Sequence, residues 1–145
     1  MGANFERRRD DGHLVSTDRA RIDLDLVHRW IAGEYWAPGI DRALFLRSLE
    51  PALCFGLFAP DGAPIGFART ITDFARFAWM SDVYVEPARR GRGLGRFLVE
   101  SILAHPDLAG VARWVLGTRD AQGLYAKFGF APAPEGRFML RGPPP

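Results

Sequence analysis

The chain is poor in cysteine and lysine and has no long apolar run. A single cysteine, Cys54, stands among 145 residues. One thiol excludes a disulfide within the chain and any cysteine-based metal site. Cys54 lies in the apolar run Ala52–Phe58, where a buried, inert thiol is expected. His13, His28 and His105 have no ligand spacing and read as surface or cap residues, so no metal is expected. The 19 basic residues are arginine except Lys127, and they nearly balance 17 acidic ones, leaving a net charge of +2. Bulk charge therefore gives no sign of a nucleic-acid partner. No apolar stretch approaches the ~18 residues a membrane span needs. The segment Met1–Gly12 is polar, without the apolar core of a signal peptide. Met1-Gly2 opens like a myristoylation signal, but Glu6 stands where Ser or Thr is needed. A cytoplasmic location is the default expectation, with no membrane partner. No internal repeat is visible.

What is present is an ordinary globular composition, 48% hydrophobic and 25% charged, at single-domain length. One domain over 1–145 is expected, with 1–12 as a frayed arm and 142–145 as a flexible tail. The most informative stretch runs from Asp82 to Arg96. Val83, Tyr84 and Val85 favour a strand, and Pro87 should stop it. From Leu94 the apolar positions Leu94, Phe97, Leu98 and Ile102 follow one face of a helix. Gly91, Gly93 and Gly95 stand where that helix begins, among arginines. A helix start leaves amide N–H groups without partners and carries a positive dipole end. Glycines let a ligand approach that backbone, so the stretch suits a phosphate. It lacks the lysine of a Walker A loop, and Arg96 replaces the third glycine of a dinucleotide fingerprint.

The remaining elements fall in order. His13–Thr17 can be a first strand. Asp23 can cap a helix with Val27, Trp30, Ile31 and Tyr35 on its apolar face, ending near Pro38-Gly39. A second helix should start at Asp41 and stop before Pro51. Leu53–Ala59 and Ile65–Asp73 read as strands of a hairpin around Pro60–Pro64, and Phe77–Glu86 as the next antiparallel strand. Arg113–Thr118 should lie parallel to it after the helical crossover. Ala121–Phe128 reads as a helix capped by Asp120 and ended by Gly129, with short strands at Phe130 and Phe138–Leu140. The expected class is α/β (α+β mixed), a mostly antiparallel sheet with a central parallel β-α-β crossover and helices on both faces.

The run Arg90-x-x-Gly93-x-Gly95 fits the pattern [Q/R]-x-x-G-x-[G/A] and resembles the acyl-CoA pyrophosphate loop of the GNAT superfamily of N-acetyltransferases. Leu124-Tyr125-x-x-Phe128-Gly129-Phe130 is similar to the family's tyrosine-bearing helix. The likeness extends from about His13 to Leu140. It implies acetyl-CoA as cosubstrate, held by Arg90, Gly91, Arg92, Gly93, Leu94, Gly95 and Arg96. It also implies that the backbone of Val83 and Val85 pairs with the pantetheine arm, and that Val83 N–H faces the thioester oxygen beside a strand bulge. Tyr125 would protonate the leaving sulfur. Thr118 replaces the asparagine that often contacts pantetheine.

Asp82, a carboxylate inside an apolar strand, is either the general base or the partner of an arginine. Asp73 is the alternate base and a candidate acceptor contact. Tyr35 and Trp36 can form the wall of an amine pocket or a lid over the core. Arg69 can pair with Asp82 or bind an acidic acceptor. The implied reaction is direct transfer of an acetyl group to a primary amine of a small molecule or peptide, and a homodimer is compatible with the sequence. Two rivals remain at this point: a non-catalytic acyl-CoA sensor and a nucleic-acid-binding module built on the Arg/Gly loop.

Overall fold

The structure is a computed structural model and describes residues 2–144. Its core is one six-stranded sheet in sequence order: β1 (Glu6–Arg8), β2 (Leu14–Ser16), β3 (Leu53–Phe58), β4 (Pro64–Thr72), β5 (Ala78–Val85) and β6 (Trp114–Val115). Every neighbouring pair is antiparallel except β5–β6, which is parallel. The crossover between those two contains α3 (Leu94–Leu103). The fold is thus the mixed α/β arrangement expected.

Alternation along β3 divides the molecule into two cores. Cys54 faces α1 (Leu24–Ala32) and α2 (Arg42–Leu49), whose Val27, Ile31, Phe45 and Leu49 are buried with Phe67 and Tyr84. Phe55 and Leu57 face the other way, against Leu94, Phe97, Leu98 and Ile102 of α3. The short α4 (Gln122–Ala126) joins that second core through Tyr125. Removing this apolar surface from water is the main stabilisation available, at about 25 cal/mol per Å².

Several boundaries differ from the sequence reading. Residues 6–8 lie in the segment expected to fray, yet they pair with β2 through Glu6↔Ser16 and Arg8↔Leu14. The arginines there pack their stems and charges on neighbours, with Arg7 donating to Glu100 and Arg21 donating to Glu6. Met1 and Pro145, part of the expected tails, fall outside the described residues. Helix α1 stops at Ala32, capped by Gly33, and residues 33–40 continue as turns closed by Gly39 N–H to Ala32 O at 2.8 Å. Tyr35 therefore sits on a loop, off the helix face. Strand β6 keeps only two residues of the six expected, because it pairs with Ala78 and Trp79 and then parts from β5. Ala121, rather than Asp120, occupies the cap of α4, and Thr118 Oγ1 accepts its N–H at 3.0 Å. Phe130 and Phe138–Leu140 are not strands. The two-residue β6 offers almost no edge for them to join, and Met139 stays 94% exposed.

Candidate active site

The bulge that the family resemblance implied is present in β5. Phe67 pairs with Tyr84 and Arg69 with Ser81, so Asp82 and Val83 together oppose the single residue Ala68. Asp82 adopts φ +54, a left-handed conformation that Asp tolerates better than most residues. The bulge bends β5 where β6 has already ended. Between the two strands opens a cleft of about 1030 Å³.

One end of this cleft is backbone. Asp23 caps α1 by accepting from Leu26 N–H, and Asp41 caps α2 by accepting from Leu44 N–H, each at 3.1 Å. The start of α3 has no such side chain: its cap is Gly93, at φ +73, and no side chain bonds the first amides. Gly91 is also left-handed, at φ +82, and a Cβ built there would meet no protein atom within 4 Å. Gly91, Gly93, Leu94, Gly95 and Arg96 all line the cleft. Uncapped amides, a positive dipole end and open space above Gly91 fit a diphosphate. Arg90 turns into the cleft and is held there, since its Nε donates to Val85 O at 2.9 Å. Arg92 does not line the cleft; its carbonyl faces the opposite side, toward Arg9.

The other end is made of side chains bonded to each other. Asp82 is buried, and its two oxygens accept from Trp36 Nε1 at 2.8 Å and Arg69 Nε at 2.6 Å. Trp36 meets Tyr35 edge-on with ring centroids 5.1 Å apart. The Tyr35 hydroxyl accepts from Arg119 N–H at 2.9 Å, and the Arg119 guanidinium lies 3.9 Å from the Tyr35 ring centre. This clasp joins the α1–α2 loop to the loop before α4.

Tyr125 stands between the two ends. It lines the cleft yet is only 8% exposed. Burial, with a smaller contribution from Tyr35, pushes its phenol up to about 12. The hydroxyl is therefore a proton donor across the whole neutral and mildly alkaline range. Val83, Val85 and Thr118 also line the cleft.

Asp73 is not brought here. Its Oδ1 accepts from the N–H groups of Ala75, Arg76 and Phe77, which close the β4–β5 turn and hold the carboxyl below its usual range. A turn-closing carboxylate outside the cleft is a poor base or acceptor contact, and both suggested roles are withdrawn. Sequence reasoning missed Glu34, Trp79 and Arg119, which line the cleft. They come from a turn, a strand end and a loop, and no periodicity or motif marks them.

The profile of the acetyltransferase (GNAT) domain matches residues 53–132. A Xanthomonas campestris pv. campestris protein assigned to the GNAT family is 44% identical, with 91% of this chain and 94% of that chain covered and a TM-score of 0.86. A Gibberella zeae chain named as an acetyltransferase is 27% identical over 138 residues, covering 79% of this chain and 76% of its own. A Clostridium acetobutylicum structure with acetyl-CoA shares the fold at 14% identity and a TM-score of 0.64, with 96% of each chain covered. Among the described residues, no helix is long and apolar enough to cross a membrane. The chain belongs to the GNAT family of acetyltransferases, which use acetyl-CoA, and it is an acyltransferase.

Proposed function

We propose that the protein is an N-acetyltransferase that moves an acetyl group from acetyl-CoA directly to a primary amine of a small molecule or peptide. The observation that carries this reading is the uncapped glycine start of α3 opening onto the same cleft as the buried, neutral phenol of Tyr125. The cosubstrate supplies an activated thioester carbonyl. The amides at 93–96 and the guanidinium of Arg90 hold its diphosphate. Backbone of Val83 and Val85 runs beside its arm, and the bulge aims Val83 N–H at the carbonyl oxygen, a donor commonly worth ~3 kcal/mol of barrier. Tyr125 gives its proton to the departing sulfur.

Asp82 was a candidate base. With both oxygens already engaged by Trp36 and Arg69, we assign it instead to holding the bulge and the aromatic wall. The proton of the incoming ammonium then needs another acceptor. Two cleft carboxylates are not held in short bonds: Glu34, whose nearest cation is Arg90 at 4.0 Å, and Asp120, beside Arg119 at 3.9 Å. Their side chains are 24% and 69% exposed, so Glu34 is the better shielded and is assigned the role. Cys54 is buried on the α1–α2 face and its thiol is pushed up by that burial, which argues against a thiol-bound acyl intermediate.

The test is a panel of amines with acetyl-CoA, read by free-thiol release and by mass of the product. Acetylated amine appearing only when donor and acceptor are both present supports direct transfer. CoA uptake without turnover on any amine favours the sensor reading. An acyl-protein adduct formed with donor alone would overturn the direct route.

A further inference from the structure

Gly93 stands on a divide between two hollows. On one side is the cleft; on the other is a groove of about 400 Å³ lined by Arg7, Arg8, Arg9, Arg96 and Glu100. Across this divide Arg9, from the β1–β2 turn, donates through Nη1 to the carbonyl of Arg92 at 3.0 Å. The contact joins residues 83 positions apart. A trans peptide is planar, with its C=O and N–H pointing in opposite directions. Fixing the Arg92 carbonyl toward Arg9 therefore turns the next amide, Gly93 N–H, away from the groove and toward the cleft.

Arg9 is itself held. Asp11 accepts from its Nε at 3.0 Å and from its Nη2 at 2.7 Å, a two-pronged pairing. The same carboxylate lies 2.9 Å from His13 Nδ1 and accepts from His13 N–H at 3.3 Å. A carboxylate only accepts, so His13 carries a proton on Nδ1. The turn beneath is closed by Arg9 N–H to His13 O at 2.8 Å and Gly12 N–H to Arg9 O at 2.9 Å. Among the arginines near the glycine loop, this is the one that reaches the loop backbone from another part of the chain.

We propose that Arg9, set by Asp11 and His13, is a positioning residue for the diphosphate: it holds the Arg92–Gly93 peptide so that the amide faces the bound anion. It touches neither the reacting atoms nor the acceptor. This inference rests on the placement of the diphosphate at α3 given above.

The experiment compares wild type, Arg9→Gln, Arg9→Lys and Asp11→Asn. CoA affinity is read by calorimetry, and steady-state kinetics are read with acetyl-CoA and with S-acetylpantetheine, a donor that has no diphosphate. Arg9→Gln is expected to weaken CoA binding and raise the KM for acetyl-CoA about ten-fold, as for loss of one charge-assisted bond, with kcat retained. Rates with S-acetylpantetheine should stay within about two-fold of wild type, which also shows that the variant folds. Arg9→Lys should recover part of the affinity, because an ammonium can still donate to Arg92 O but cannot make the fork with Asp11. Asp11→Asn should give a smaller loss in the same direction. Equal losses with both donors, or unchanged CoA affinity in Arg9→Gln, would overturn the proposal while leaving the diphosphate site intact. Absence of CoA binding by wild type would overturn the site and this inference together.

Discussion

The two ends of the cleft are built on opposite plans. At the α3 end the binding groups are backbone amides without side-chain partners, displayed by glycines at φ +82 and +73. At the far end the polar groups already have partners: Asp82 with Trp36 and Arg69, and Tyr35 with Arg119. An open set of amides binds any ligand that brings the missing charge, and a diphosphate does so whatever else is attached to it. Under the proposed function, a closed set of polar groups gives little to a polar acceptor and leaves the apolar faces of Tyr35, Trp36 and Trp79 to recognise it by shape. Under the same proposal, the difference implies electrostatic donor binding and steric acceptor choice, with Tyr125 serving the chemistry between them.

The comparison breaks most visibly at its junction. Tyr125→Phe keeps the ring in the core but removes the proton. We expect kcat to fall roughly a hundred-fold, the lower range for a lost general acid, with CoA affinity unchanged. Wild-type turnover would remove the phenol from the reaction. At the open end, Gly91→Asp adds a carboxylate on a loop residue that lines the cleft, where a Cβ meets no protein atom within 4 Å, in a left-handed conformation that Asp tolerates. CoA affinity should drop about thirty-fold, a favourable helix-terminus charge turned against the ligand. Unaltered affinity by calorimetry would move the diphosphate elsewhere.

At the closed end, Asp82→Asn leaves Arg69 without its carboxylate, at a site only 17% exposed for Arg69 and 5% for Asp82. The expected cost is about 2 kcal/mol of stability in denaturant melts. Turnover per folded molecule should largely survive in Asp82→Asn and fall in Glu34→Gln. The reverse pattern would return the base role to Asp82.

The open end was legible in the sequence and the closed end only in part, for a physical reason. A cradle made of backbone needs glycine and a helix start, and both leave local marks at 91–95. Tyr125, which lines the cleft, was singled out by the resemblance around Phe128-Gly129. Local signals also placed the starts of α1 and α2 at Asp23 and Asp41, and the hairpin at Pro60–Pro64. The acceptor wall depends instead on contacts between residues 46 and 84 positions apart, Trp36 with Asp82 and Tyr35 with Arg119. Neither pair has a sequence pattern. Only half of the Asp82 alternative could be stated in advance, since an arginine partner was foreseeable but the tryptophan was not. The β1 strand was hidden by its arginines, which look solvated until Glu100 and Glu6 are brought against them.

The last effect concerns the junction at high pH. A tyrosine in an unfolded chain titrates near ~10, whereas burial raises Tyr125 to about 12 in the fold. The sign follows from linkage. The folded state holds this proton more tightly, so the associated stability is fully present below pH ~10 and is lost as pH rises toward about 12. Phenylalanine has no proton to lose. Wild type should therefore lose more stability than Tyr125→Phe between pH 10 and 12, measured by denaturant melts at each pH. The Tyr125→Phe curve isolates this residue, because Tyr84, also raised by burial, titrates equally in both proteins. Parallel curves would mean that the phenol reaches solvent freely, and a freely hydrated phenol would not be held ready beside the sulfur.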